Sequence, residues 1–111
     1  MAYDELLGAR IRAALSDQPG LVEKKMFGGV CFMLNGNMAC GVIKNDLIVR
    51  VGPEQHPAAL SRPHTRPFDF SGKPMAGWVT VSGTGVATEK DLKDWVRLGV
   101  DFAITLPSKR K

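Results

Sequence analysis

The sequence holds no apolar run approaching the roughly twenty residues of a membrane-spanning helix, so none is expected. Residues 1–15 mix acids and arginines among their apolar side chains. They show neither the apolar stretch nor the small-residue cleavage site of an export signal. Cysteine is scarce, with two residues, and two cysteines without an export signal favour a reduced, cytoplasmic setting. Histidine is as scarce. His56 and His64 each stand beside a proline in an irregular stretch with no paired acids nearby, a spacing that makes neither a metal motif nor a catalytic triad. Ser61, Ser71 and Ser82 lie in no nucleophile-elbow context. The chain is therefore expected to be non-enzymatic and to carry no cofactor or metal.

There is also little excess charge. The formal balance is +4, but Lys109, Arg110 and Lys111 supply three of the fifteen basic groups, and without them twelve cations face eleven acids. A nearly neutral body with a short basic tail gives a weak, salt-sensitive attraction to polyanions and no nucleic-acid-reading surface. Aromatic residues that could stack on bases are few, Phe27, Phe68 and Phe70, and they read as buried. Lys24, Lys25, Arg50, Arg62, Arg66 and Lys73 are candidates to converge on one side toward an acidic partner, although a solvated face is the simpler expectation.

What is present is an ordinary globular composition, 44% hydrophobic and 23% charged in 111 residues, enough to close one core. Tyr3, Leu7, Ile11, Ala14 and Leu15 share one helical face, and Asp17-Gln18-Pro19-Gly20 stops that helix. From residue 21 to 51 the pattern becomes β-like. Runs at 22–27, 30–34, 38–43 and 47–51 are separated by Gly28-Gly29, Asn35-Gly36 and Lys44-Asn45-Asp46. Gly28-Gly29 reads as a bend or bulge, and Asn35-Gly36 is the strongest short hairpin signal.

Five of the seven prolines fall in residues 52–77, where a short helix near 57–60 is predicted. Strands are predicted at 68–70 and 78–82, followed by a loop at Gly83-Thr84-Gly85. Thr88 then caps a long helix over 89–106. Leu92, Trp95, Val96, Gly99, Phe102, Ala103 and Leu106 form its buried face, with Lys90, Asp94, Arg97 and Asp101 opposite, and Pro107 ends it. The sequence has no repeats and no linker, which predicts one domain over residues 1–106 and a basic tail at 107–111. The element order, helix, three or four strands, short helix, two strands, long helix, predicts a two-layer α+β domain. Its antiparallel sheet of about five to six strands would lay one face on the terminal helices.

Three groups of residues in this order resemble the TfoX N-terminal domain family. The first is Lys25-Met26-Phe27-Gly28-Gly29, with Asn35-Gly36-Asn37-Met38 and Asp46-Leu47-Ile48-Val49-Arg50-Val51 after it. The second is Phe68-Asp69-Phe70 with Lys73-Pro74-Met75-Ala76-Gly77-Trp78, and the third is Leu92-Lys93-Asp94-Trp95-Val96. The likeness runs from about residue 3 to residue 106. It implies an α+β fold similar to the secretion-chaperone-like group, and kinship with the TfoX/Sxy regulators of bacterial competence genes. Full-length members carry a second, C-terminal domain, so this chain is expected to be a single-domain member. The family supplies no catalytic residues. Met26, Phe27, Gly28, Gly29, Asn35, Gly36, Trp78 and Trp95 are thus expected to be structural.

Cys31 and Cys40 are the most informative pair of candidate site residues. With a two-residue turn at Asn35-Gly36, Cys31 faces Cys40 and Met33 faces Met38 on one sheet face. Such a soft cluster could hold Cu(I) or form a cross-strand disulfide, although core packing is the simpler expectation. A three-residue loop at 35–37 would shift the register and dissolve the pair. Phe27-Gly28-Gly29 lies between strands, without the Lys-Ser or Lys-Thr of a phosphate loop, so it is expected to be a bend.

Three functional readings follow. The first is a regulatory or protein-interaction module, for which a protein partner and a homodimer are expected. The second is a nucleic-acid-associated accessory, and the third a small redox or soft-metal protein using Cys31 and Cys40.

Overall fold

The computed structural model describes residues 4–26, 28–70 and 73–106, and of residues 26, 69, 70 and 73–76 the backbone alone. Tyr3, Phe27, Ser71, Pro107 and the tail 107–111 lie outside the described residues. The elements run α1 (Glu5–Ala14), β1 (Leu21–Met26), β2 (Gly29–Leu34), β3 (Asn37–Ile43), β4 (Asp46–Arg50), α2 (His56–Leu60), β5 (Thr65–Phe70), β6 (Lys73–Val81), a 3-10 turn (Gly83–Val86) and α3 (Glu89–Ala103). The expected α+β architecture is present: a six-stranded antiparallel sheet with the terminal helices packed on it and a short middle helix.

Local chemistry accounts for most boundaries. The Asp4 side chain accepts from the Leu7 amide and opens α1, and Thr88 does the same for the Asp91 amide at α3. Asn35 and Gly36 both take positive φ, 52° and 85°, and Leu34 pairs with Asn37, so this is the two-residue turn that Asn-Gly favours. The stretch around Gly28 differs from expectation. Met26 pairs with Gly29, so the chain reverses there in a tight hairpin rather than bending within a strand. Gly29 is pressed against the Val42 carbonyl, where any Cβ would overlap the oxygen. The 3-10 turn stands where a loop was expected, and α3 ends at Ala103, three residues before the predicted 106.

The strand order is β1-β2-β3-β4-β6-β5. The last strand therefore inserts beside β4, and β5 becomes an edge. Val30, Phe32, Leu34, Cys40, Val42, Leu47, Val49, Val51, Val79 and Val81 point to one face. They close a core with Leu7, Ile11 and Leu15 of the N-terminal segment and Leu92, Trp95, Val96, Val100 and Ala103 of α3. Each such side chain removed from water contributes about 1.5–3 kcal/mol before entropy is counted. On α3, Val100 joins this face, whereas Phe102 is only half-buried. Polar clamps hold the helices in place. Arg12 grips Glu23 of β1 through two 2.7 Å hydrogen bonds, and Arg10 donates to the Val86 carbonyl at 2.8 Å and to Glu89 at 3.1 Å. The Arg62 guanidinium lies 4.1 Å from the Trp95 ring centroid and roofs that buried indole.

Candidate interaction surface

Side chains alternate along a strand, so packing one face of the sheet leaves a second. The buried apolar residues of α1, α2 and α3 all belong to the core on the first face, and α3 meets the other at its edge, where Phe102 stands beside Arg50. Across that second face one register row reads Lys24, Cys31, Gly41, Ile48, Thr80, Arg66. Its middle is a buried floor of Cys31, Gly41, Ile48 and Thr80. Gly41 offers no side chain, and the Met38 methyl takes that space, 2.9 Å from where a Cβ would stand. Met33 pairs with Met38 beside this row, and both are half-buried. Toward β5 the face dips into a shallow hollow of about 270 Å³, lined by Ile43, Lys44, Asp46, Ile48, Arg66, Pro67, Phe68 and Thr80.

The soft cluster expected from a simple hairpin is not assembled. The register holds for Leu34–Asn37 and Met33–Met38, then shifts: Phe32 pairs with Cys40 and Cys31 with Gly41. Ala39 is the extra residue of a β-bulge, and the slip sends Cys40 to the helix-packed core while Cys31 stays on the open face. Both thiols are free and buried. Burial pushes the Cys40 thiol up to about 12, with neighbouring Cys31 adding to the shift, and burial also raises Cys31. Among the described residues no group of three or more His, Cys, Asp or Glu side chains could hold a metal.

Five of the six basic candidates are divided as well, and the side chain of the sixth, Lys73, lies outside the described residues. Lys24, Arg50 and Arg66 share the open face, Lys25 pairs with Val30 in the row facing the helices, and Arg62 covers Trp95 on the helix side. Arg66 is committed to Asp46 at 2.6 Å and to the Ser82 hydroxyl at 3.1 Å. Arg50 is held differently. Its guanidinium carbon lies 5.3 Å from the centroids of both Trp78 and Phe102, and Phe68 stands 5.9 Å from Trp78. It makes no ion pair or hydrogen bond with the described residues. No local pattern marks this cation and its two rings, because its members come from β4, β6 and α3.

The remaining candidates have structural settings. Trp95 is core, while Trp78, expected to be structural, is half-buried on the open face. His64 takes a positive φ of 64°, and its Nδ1 meets the Thr84 hydroxyl at 3.2 Å with no carboxylate behind the ring among the described residues. His56 opens α2, and its Nε2 is buried without a hydrogen-bond partner among the described residues. Ser61 donates to the Ala58 carbonyl at 2.7 Å. A second concavity of about 460 Å³ lies between the α1 end and α3, with Asp17, Lys93, Asp94 and Arg97 around an apolar floor. No described helix is long and apolar enough to cross a membrane.

The family description of the TfoX N-terminal domain matches residues 13–103, from within α1 through the whole sheet to the last residue of α3. The chain belongs to the TfoX N-terminal domain family. No curated protein matches it. Within this TfoX N-terminal domain Asn35-Gly36 builds the second hairpin as read from the sequence, and the first hairpin reverses between Met26 and Gly29, where a bend or bulge was expected. The segment 46–51 supplies β4, the strand that joins the meander to β6 and carries Arg50.

Proposed function

We propose that this TfoX N-terminal domain is a non-catalytic regulatory module that works by binding a protein through the uncovered face of its sheet. The observation that carries the reading is the group of half-buried Met33, Met38, Ile43, Phe68 and Trp78, which surround the buried floor of Cys31, Gly41, Ile48 and Thr80 on the face that the helices leave free. Apolar area gathered on one face is what a partner can bury, and flexible methionines let such a surface adapt. Kinship with TfoX/Sxy makes transcriptional control of competence genes the natural context for such a partner.

The test is affinity capture with the tagged chain from nuclease-treated and untreated lysates, beside a Met38→Glu variant shown to fold. A defined protein retained after nuclease and lost with Met38→Glu supports the reading. Material recovered only without nuclease would replace it with nucleic-acid association, and a partner indifferent to Met38→Glu would move the site off this face.

A further inference from the structure

The open face has a charge of its own. Its described charged residues are Lys24, Lys44, Arg50 and Arg66 against the single acid Asp46, which is already tied to Arg66. Without residues 109–111 the sequence holds twelve cations and eleven acids, so eight cations and ten acids remain for all other positions. A nearly neutral chain therefore carries its positive charge on the face that also exposes apolar side chains. Two such faces brought together would repel, which disfavours a second copy docking face to face.

Resting on the interaction reading above, we infer that the occupant of this face is an acidic, amphipathic segment of a partner protein, with a carboxylate of that segment bound by Arg50. The guanidinium is a fixed planar fork of donors suited to a carboxylate, and the rings of Trp78 and Phe102 hold it in place while leaving its N–H groups uncommitted among the described residues. Part of the ordering cost of a long side chain is thus met before the partner arrives. Apolar residues of the segment fit the hollow over Ile43 and Ile48, with Lys44 and Lys24 adding longer-range attraction. A polynucleotide would satisfy the cations but leave half-buried Met33, Met38, Ile43 and Phe68 unmatched.

The experiment titrates the full chain with three labelled probes and follows fluorescence anisotropy. They are a peptide of alternating Glu and Leu, its Lys and Leu counterpart, and a single-stranded oligonucleotide. The Glu–Leu peptide is expected to bind, more weakly as salt rises, and the Lys–Leu peptide is not. Arg50→Met keeps the side-chain stem and removes the fork, and should weaken binding by about tenfold or more. Arg50→Lys should recover only part of it, and Lys44→Glu, at an exposed turn, should weaken binding without touching the core. Equal binding of both peptides, tighter binding of the oligonucleotide, no binding of the acidic peptide, or indifference to Arg50→Met in a folded variant would each overturn the inference. The two readings separate in the capture assay: a protein lost with Met38→Glu but kept with Arg50→Met leaves the open face as the docking site and removes the carboxylate at Arg50.

Discussion

Gly99 of α3 rests on the backbone of Ala39, the extra residue of the β3 bulge. A Cβ at position 99 would overlap the Ala39 carbonyl oxygen and stand 3.0 Å from its carbon. The helix thus sits on the point where the strand changes register, and the same bulge turns both Ala39 and Cys40 into the core beneath it. Strand irregularity and helix seat form one arrangement.

Gly99→Ala is accordingly expected to destabilise the fold despite the better helix propensity of alanine. The obstacle is backbone, which cannot move aside as a flexible side chain would, and overpacking of this kind costs about 1–3 kcal/mol. Denaturant unfolding should show a lower midpoint with an unchanged slope. A variant as stable as the parent would show that α3 is not seated on the bulge.

Cys31 and Cys40 lie on opposite faces, so mild oxidation of the folded chain should leave two thiols and no intramolecular disulfide. Both are buried, and a thiol reagent at pH 8 should modify them only after unfolding. The sign of the pH effect follows from the raised folded value of Cys40. Its contribution is fully present below the ordinary value near 9 and is lost as pH climbs toward about 12, because only the unfolded chain ionises readily in that window. Stability should fall across it by up to about 1.4 kcal/mol per pH unit for one such group, and Cys40→Ala should remove that part of the slope. Rapid labelling of Cys40 in the native chain would contradict the placement.

The Arg12–Glu23 clamp gives a smaller effect at the acid end. Hydrogen bonds from Arg12 hold the Glu23 carboxyl below its ordinary value near 4.5. A depressed carboxylate contributes stability above its unfolded value, and that contribution disappears as pH falls through the lower folded value. The pair is substantially exposed to solvent, so Glu23→Gln should cost about 0.5 kcal/mol at neutral pH and progressively less at an acid pH where the folded carboxyl is protonated. Unfolding midpoints at the two pH values check this, and a loss that persists at low pH would assign the cost to packing of the Glu23 stem.

Much of the fold was legible because its signals are local. The side-chain cap at Thr88, the Asn35-Gly36 turn and the apolar stripe of α3 depend on residues a few positions apart. The order of elements followed from them. The candidate site was harder to read. Counting outward from Asn35-Gly36 placed Met33 opposite Met38 correctly, then failed one residue later, where Ala39 bulges toward the helix at Gly99. Gly28-Gly29 was visible as a break, but whether the chain bends or reverses there depends on the partner strand.

The sequence alone thus determined the α+β class, the family and the Asn35-Gly36 turn, because hydrogen bonding and hydrophobic period within short windows decide them. Tertiary structure decided the insertion of β6 between β4 and β5, the separation of Cys31 from Cys40, and the placing of Arg50 between Trp78 and Phe102. These depend on which distant segments meet. A strand edge accepts any register its backbone can bond, and only the packing of the helices on one face selects the register that leaves the other face apolar, basic and open.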